Sequence, residues 1–428
     1  MKHTVEEVRL KNGARGLLID VPGATAMSMQ FQFQAGSRYA KSNDIEQVAH
    51  IMEHMAFGAN ARFKTGADFD AEFTKNGAYQ NAYTSDFWMV YEADCADFEW
   101  ERILDLERLS ICEPRFNEGE LLAEKGNVRS ELTNYLNNYS RLLWQRIAHA
   151  MGEGSASDRY GLTTINNVTL ADIKEHYKRT HTTKNMRFIV AGNLAGRKSK
   201  IRQMIEEFKL PEGERFDIIH DEPLAHSPVV VRRKDASNLV FGMSMTLNRK
   251  LDDEEIDALS ALNQILTGTM RSRIFGKARA NGLSYNIRLY CNGNKYVSSW
   301  DLAGQVNHET ADKLFDLVVE ELQAVLDGKI SEEELEAAKS FALGRHQMGA
   351  QTAAQILDFY SGRYFGRDII DDYNKVPDEI RGVTIEKIQK IVREFIDGRT
   401  WCLGAVSNGE KQEIIDLGDK LATLFPEK

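Results

Sequence analysis

From Met27 to Gln34 the chain alternates strictly. Met27, Met29, Phe31 and Phe33 take one parity; Ser28, Gln30, Gln32 and Gln34 take the other. A period of two over that length predicts a half-buried strand of an antiparallel sheet. Before it, Leu17-Leu18-Ile19-Asp20-Val21 is short and apolar, and Pro22-Gly23 marks a turn. After it the period changes. Ile45, Val48, Ala49, Ile51, Met52, Met55 and Ala56 leave almost no polar face, which predicts a helix buried on nearly every side. Asn43 with Glu46 reads as a capping box at its start, and Gly58 as its stop. Residues 69–75 then read as a helix, and residues 77–86 feed a strand at 87–91. An amphipathic helix follows at 98–112, broken by Pro114, and the next opens on Asn117 with Glu120 as its box partner.

The pattern then repeats. Val168-Thr169-Leu170-Ala171-Asp172-Ile173 matches Val383-Thr384-Ile385-Glu386-Lys387-Ile388, and the strand-like residues 187–193 fall on 402–408. Asn117-Glu118-Gly119-Glu120-Leu121 falls on Ser331-Glu332-Glu333-Glu334-Leu335. A repeat of this length means duplicated domains rather than a solenoid. The expected fold is α+β: two copies of a largely antiparallel sheet with helices packed on it. The expected boundaries are 1–209 and 229–428, joined by a linker at 210–228 that holds Pro211, Pro223 and Pro228.

Composition narrows the class. The start, Met1-Lys2-His3-Thr4-Val5-Glu6-Glu7, lacks the apolar stretch of a signal peptide, and no run of about 18 apolar residues occurs. Cys95, Cys112, Cys291 and Cys402 are far apart and read as reduced thiols in a cytoplasmic protein. A net charge of −10 argues against nucleic acid as a partner. The one basic run, Arg197-Lys198-Ser199-Lys200-Ile201-Arg202, reads as a solvated helix start.

The chemistry lies in the buried helix. His50, Glu53 and His54 stand at i, i+3 and i+4, so they project from one face. Burying such groups without partners costs several kcal/mol, on the order of 2–7 per polar group. A metal ion relieves that cost, with two imidazoles as ligands and the carboxylate left over for proton transfer. The order His-x-x-Glu-His is that of the inverted zincins. Zinc wants a third protein ligand. The helix after Asn117 offers Glu124 and Glu131, two turns apart on one face, and the spacing leaves both open. In the second copy these positions become Ala338 and Arg345, and residues 261–267 contain neither His nor Glu, so the metal belongs to the first copy alone.

These residues resemble the zinc site of the pitrilysin and mitochondrial processing peptidase family. The resemblance rests on His50-Ile51-Met52-Glu53-His54 and Glu131, with Gly36-Ser37-Arg38 before them. It extends to Gly77-Ala78, to Asn81-Ala82-Tyr83-Thr84-Ser85, and to the run from Glu124-Lys125 through Val128 to Glu131. It implies a zinc endopeptidase holding one Zn2+ through His50, His54 and Glu131. It makes Glu124 a supporting acid and Glu53 the general base. It also implies substrate binding at Asn81, Ala82 and Tyr83, where an extended peptide adds to the sheet edge. In the second copy, Arg279-Ala280-Asn281-Gly282-Leu283-Ser284-Tyr285 resembles the family's Arg and Tyr pair, which contacts substrate; Arg273 and Lys277 are nearby substitutes for the Arg. The family's closed chamber favours unfolded peptides, and its chains pair, which implies a homodimer or a heterodimer with a related chain. Two other functions compete: a non-catalytic partner subunit, which would have lost ligands, and a zinc hydrolase of a small molecule, which would not need a duplicated chain.

Overall fold

The computed structural model describes residues 1–425, which form two compact units. The first holds residues 1–134, 155–219 and 349–371; the second holds 135–154, 220–348 and the chain from 372 onward.

The first unit is built on six strands: β1 (Thr4–Arg9), β2 (Arg15–Asp20), β3 (Ala26–Gln34), β4 (Tyr79–Thr84), β5 (Trp88–Ala96) and β6 (Arg187–Gly192). Their order across the sheet is β1-β2-β6-β3-β5-β4. Only β2 and β6 run parallel. The second unit has β7 (Val229–Arg232), β8 (Leu239–Leu247), β9 (Asn286–Gly293), β10 (Ser298–Val306) and β11 (Trp401–Ser407), in the order β7-β11-β8-β10-β9. Here only β7 and β11 run parallel. The order β2-β6-β3-β5-β4 is thus reproduced strand for strand, and the duplicated α+β fold stands.

The units are not the two contiguous halves expected from the repeat. Helix Tyr139–Ala150 belongs to the second unit, and helix Ala353–Arg367 to the first. Each half of the sequence therefore gives one helix to the other unit. Leu143, Ile147 and Met151 pack with Val229, Cys402 and Val406. Glycines let that helix approach the sheet: a Cβ on Gly404 would lie 2.6 Å from Ile147 Cγ1. Helix Ala353–Arg367 buries Ile356, Leu357, Tyr360 and Tyr364 and packs on β3 and β6.

That second helix corrects the reading of β3 as half-buried. Ser28, Gln30, Gln32 and Gln34 are buried along with the apolar parity. An alternating pattern reports which face is apolar; it does not report that a helix from the far end of the chain covers the other. The basic run does open a surface helix, Lys198–Glu206, and its cations meet acids there: Arg197 pairs with Asp97, Lys198 and Arg202 with Glu6, and Lys200 with Glu101. The four cysteines are all free, and residues 210–228 carry neither helix nor strand. Among the described residues no helix is long and apolar enough to cross a membrane.

Candidate metal centre

Helix Val48–Ala56 buries Val48, Ala49, Ile51, Met52, Met55 and Ala56, as its apolar circumference demands. It packs against β4 and the helix Leu170–Thr180. Its start differs from expectation. Asn43–Ile45 is a separate 3-10 turn, Gln47 is the N-cap position, and neither is capped by a side chain. Glu46 does not close a capping box. Its carboxylate turns inward and accepts from Gln47 Nε2 at 2.7 Å and from Thr164 Oγ1 at 3.4 Å.

The acid helix Glu118–Tyr135 lies alongside, seated on Leu121, Val128 and Leu132. Asn117 Oδ1 accepts from Glu120 N–H, as expected of its cap. Glu120, however, accepts from the backbone N–H of Ala59 at 2.7 Å, just past the end of the metal helix. Gly58 makes room for this: a Cβ there would sit 2.8 Å from Glu120 Oε1. Loop residues 59–61 also exchange backbone hydrogen bonds with 113–115. The end of one helix is thereby tied to the start of the other.

The result is convergence of three side chains. One ligand atom each from His50, His54 and Glu131 lie within 4.8 Å of one another. Glu131 Oε2 is 3.3 Å from His50 Nε2 and 3.5 Å from His54 Nε2. Both imidazoles are held through their other nitrogen. His54 Nδ1 meets Glu124 Oε2 at 3.0 Å, and His50 Nδ1 meets Gln47 Oε1 at 3.1 Å. Glu124 is steadied by an amide hydrogen bond from Asn127. Two Nε2 lone pairs and a carboxylate aimed at one point are a donor set of the kind zinc takes. Glu124, left open beside Glu131 by spacing, thus stands behind His54 rather than in the cluster.

Glu53 is 9% exposed on the same helix. Burial raises its pKa, and Thr84, His50 and His54 oppose that shift. The His54 pKa is raised: burial lowers it, and Glu124, Glu53 and Glu131 outweigh burial.

Strand β4 holds Asn81, Ala82 and Tyr83 and is an edge strand, paired on one side only by β5. Asn81 Nδ2 donates to Glu92 at 3.0 Å, so its side chain fastens the edge strand to its neighbour.

In the second unit, helix Arg273–Ala280 ends in a turn at Gly282, where φ is +65°. Tyr285 is 79% exposed, and the Arg279 guanidinium lies over its ring, 4.0 Å from the centroid. The alternative cations are engaged elsewhere: Arg273 grips Glu334 with two nitrogens, and Lys277 pairs with Glu321. Arg279 and Tyr285 border a depression of about 480 Å³ lined also by Asn238, Ser284, Asn286 and Asn307.

Two family models match the chain in succession. Residues 16–160 match the family model described as insulinase (peptidase family M16), and residues 167–341 match the one described as peptidase M16 inactive domain. An uncharacterized zinc protease of Bacillus subtilis, YmxG, is 22% identical over 404 residues, 91% of this chain and 95% of that protein. The mitochondrial-processing peptidase subunit beta of Mus musculus is 27% identical over 176 residues, 40% of this chain and 35% of that protein. The crystal structure of a protease from Helicobacter pylori superposes with a TM-score of 0.80 at 17% identity, over 95% of this chain and 100% of that one. With both of its characteristic domains matched in sequence and in fold, the chain belongs to peptidase family M16, the pitrilysin and mitochondrial processing peptidase family.

Proposed function

We propose that this chain is a zinc-dependent endopeptidase. The convergence of His50, His54 and Glu131 beside a buried Glu53 carries the reading. Those three residues would hold the ion. When bound, zinc supplies Lewis acidity to a water and to a carbonyl. Glu53 accepts the proton of the attacking water and returns it to the leaving amine. Glu124 and Gln47 keep the two imidazoles in the tautomer that leaves Nε2 free. The free side of β4 offers backbone groups to an extended peptide, which fits a strand-like substrate rather than a small molecule. Tyr285 and Arg279, stacked and exposed, are proposed to hold the substrate chain or the oxyanion. The chain is proposed to act as a homodimer or with a related chain. The retained donor set argues against a purely non-catalytic subunit.

Metal analysis with a quenched-peptide assay tests this. Purified protein should carry about one zinc per chain, and His50→Ala should lose it. Glu53→Gln should keep zinc and lower turnover by roughly 10²–10⁴. Wild-type turnover in Glu53→Gln would overturn the mechanism.

A further inference from the structure

We infer that Glu46, Gln47 and Gly161 form a relay that sets the tautomer of His50 and so the strength of the metal site, a positioning role that rests on the function proposed above. His50 Nδ1 lies 3.1 Å from Gln47 Oε1. A glutamine amide can face an imidazole with either end, and the choice decides whether the ring must donate or accept. Glu46 makes that choice. Its carboxyl oxygen takes the Gln47 Nε2 end at 2.7 Å; burial pushes the Glu46 pKa up to about 7, and in the ionised form that prevails above that pH the group can only accept, so a carbonyl oxygen there would be repelled. Gln47 is left with Oε1 toward His50. The ring must then donate from Nδ1, and Nε2 keeps its lone pair toward Glu131 and His54.

The pair is walled in. Glu46 is 4% exposed and Gln47 9%. Thr164 Oγ1 donates to the other carboxylate oxygen of Glu46. Gly161, on helix Asp158–Thr164, is packed so closely that a Cβ there would lie 2.8 Å from Gln47 Nε2 and 3.0 Å from Glu46 Oε1. A Cβ there would press on the end of the Gln47 amide. The two histidines are thus held differently: His54 by a carboxylate directly, His50 by a neutral amide whose direction a buried carboxylate dictates.

Gln47→Met keeps the length and removes both polar ends. Two readouts test it in the full chain. Nitrogen-resolved NMR of the histidine rings in metal-free protein should show His50 protonated at Nδ1 in wild type and shifted toward Nε2–H in Gln47→Met. Zinc affinity, measured by competition with a chelator, should fall roughly 10–100-fold. Gly161→Ala should lower affinity in the same direction, and should add much less in a Gln47→Ala background, where the closer of its two contacts is gone. That coupling is absent if the three residues are merely structural. If Gln47→Met does not fold, Gly161→Ala and Glu46→Ala carry the same expectations. An unchanged tautomer with unchanged affinity would overturn the relay. Failure of wild type to bind zinc would instead overturn the proposed function, while the ring tautomer would still decide the relay.

Discussion

The two units share a strand order and differ in what hangs on it. Between β3 and β4 the first places helix Val48–Ala56, with two imidazoles and a carboxylate on one face. Between β8 and β9 the second places helix Asp253–Asn263, which runs into the π-helical turn Gln264–Gly268 and carries no such trio. The acid helices Glu118–Tyr135 and Glu332–Met348 also correspond. Ser331 and Glu334 close a full capping box, with Glu334 accepting from Ser331 N–H. In the first unit Glu120 is diverted to Ala59, where it ties two ligand-bearing helices together. The scaffold therefore tolerates the site without creating it. A few side chains, and one cap turned to another use, separate the two.

The sharpest way to break the comparison is to write the second unit's residue into the first. Glu131→Arg copies Arg345, which stands exposed at the matching place on its helix. It puts a cation among the donors of His50 and His54. Zinc should be lost completely and peptide cleavage should fall to background. Stability of the metal-free protein should change little, within about 0.5 kcal/mol, because a half-exposed helix position is altered. Full zinc occupancy in this variant would mean that Glu131 is not a ligand, and Glu124 would be the next residue to change.

A second contrast concerns buried acids. Each unit buries a glutamate on the helix that follows its sheet hairpin. In the second, Glu321 pairs with Lys277 and lies 3.7 Å from Arg273. In the first, Glu107 is 0% exposed and neither carboxylate oxygen has a partner. Burial, with a smaller contribution from Glu92, pushes its pKa from 4.5 up to about 8. The folded chain then binds this proton more tightly than the unfolded chain does. Stability therefore falls as pH rises from about 4.5 to about 8, and is flat above. Glu107→Gln should remove that fall, gaining a few kcal/mol, roughly 2–4, at about pH 9 and little at about pH 4. Urea unfolding at the two pH values reads it. An equal effect at both would show that the carboxyl is not held neutral.

Much of this was legible in the chain, for physical reasons. Helical spacing put His50, Glu53 and His54 on one face, and the repeat carried the duplicated topology. What was hidden has a common cause. Amphipathic helices do not state which surface they cover, so the exchange of Tyr139–Ala150 and Ala353–Arg367 could not be read, nor could the burial of Gln30 and Gln32 beneath the latter. The inward turn of Glu46 is not legible either, because a glutamate three places after an Asn suits a cap as well as an inward relay. Its proximity to Gly161 is tertiary. The choice between Glu124 and Glu131 needed the direction of each carboxylate, which spacing of two turns does not supply.

The smallest expected effect would sharpen the comparison by upgrading the second unit. Helices Leu170–Thr180 and Ile385–Gly398 occupy matching places, and each has a threonine N-cap. Thr169 Oγ1 accepts from Asp172 N–H, and Asp172 accepts in return from Thr169 N–H at 2.8 Å. Thr384 Oγ1 accepts from Lys387 N–H, but a lysine cannot return the bond. Lys387→Asp would supply the missing acceptor and place a negative charge at the positive end of the helix. Each effect is worth roughly 0.3–1 kcal/mol. Against this stands the ion pair of Lys387 with Glu254, whose side chains are 37% and 73% exposed. A pair that open contributes about 0–0.5 kcal/mol, and the new aspartate meets some repulsion from Glu254. The capping terms are the larger, so Lys387→Asp should stabilise the protein by a few tenths of a kcal/mol, about 0.5. Thr384→Ala should cost about 1 kcal/mol and cancel the gain when combined, since the box needs both partners. Thermal unfolding of the two single variants and the double reads all three. Destabilisation by Lys387→Asp alone would mean that the surface charges outweigh the cap, and that the two helix starts differ by more than one missing acceptor.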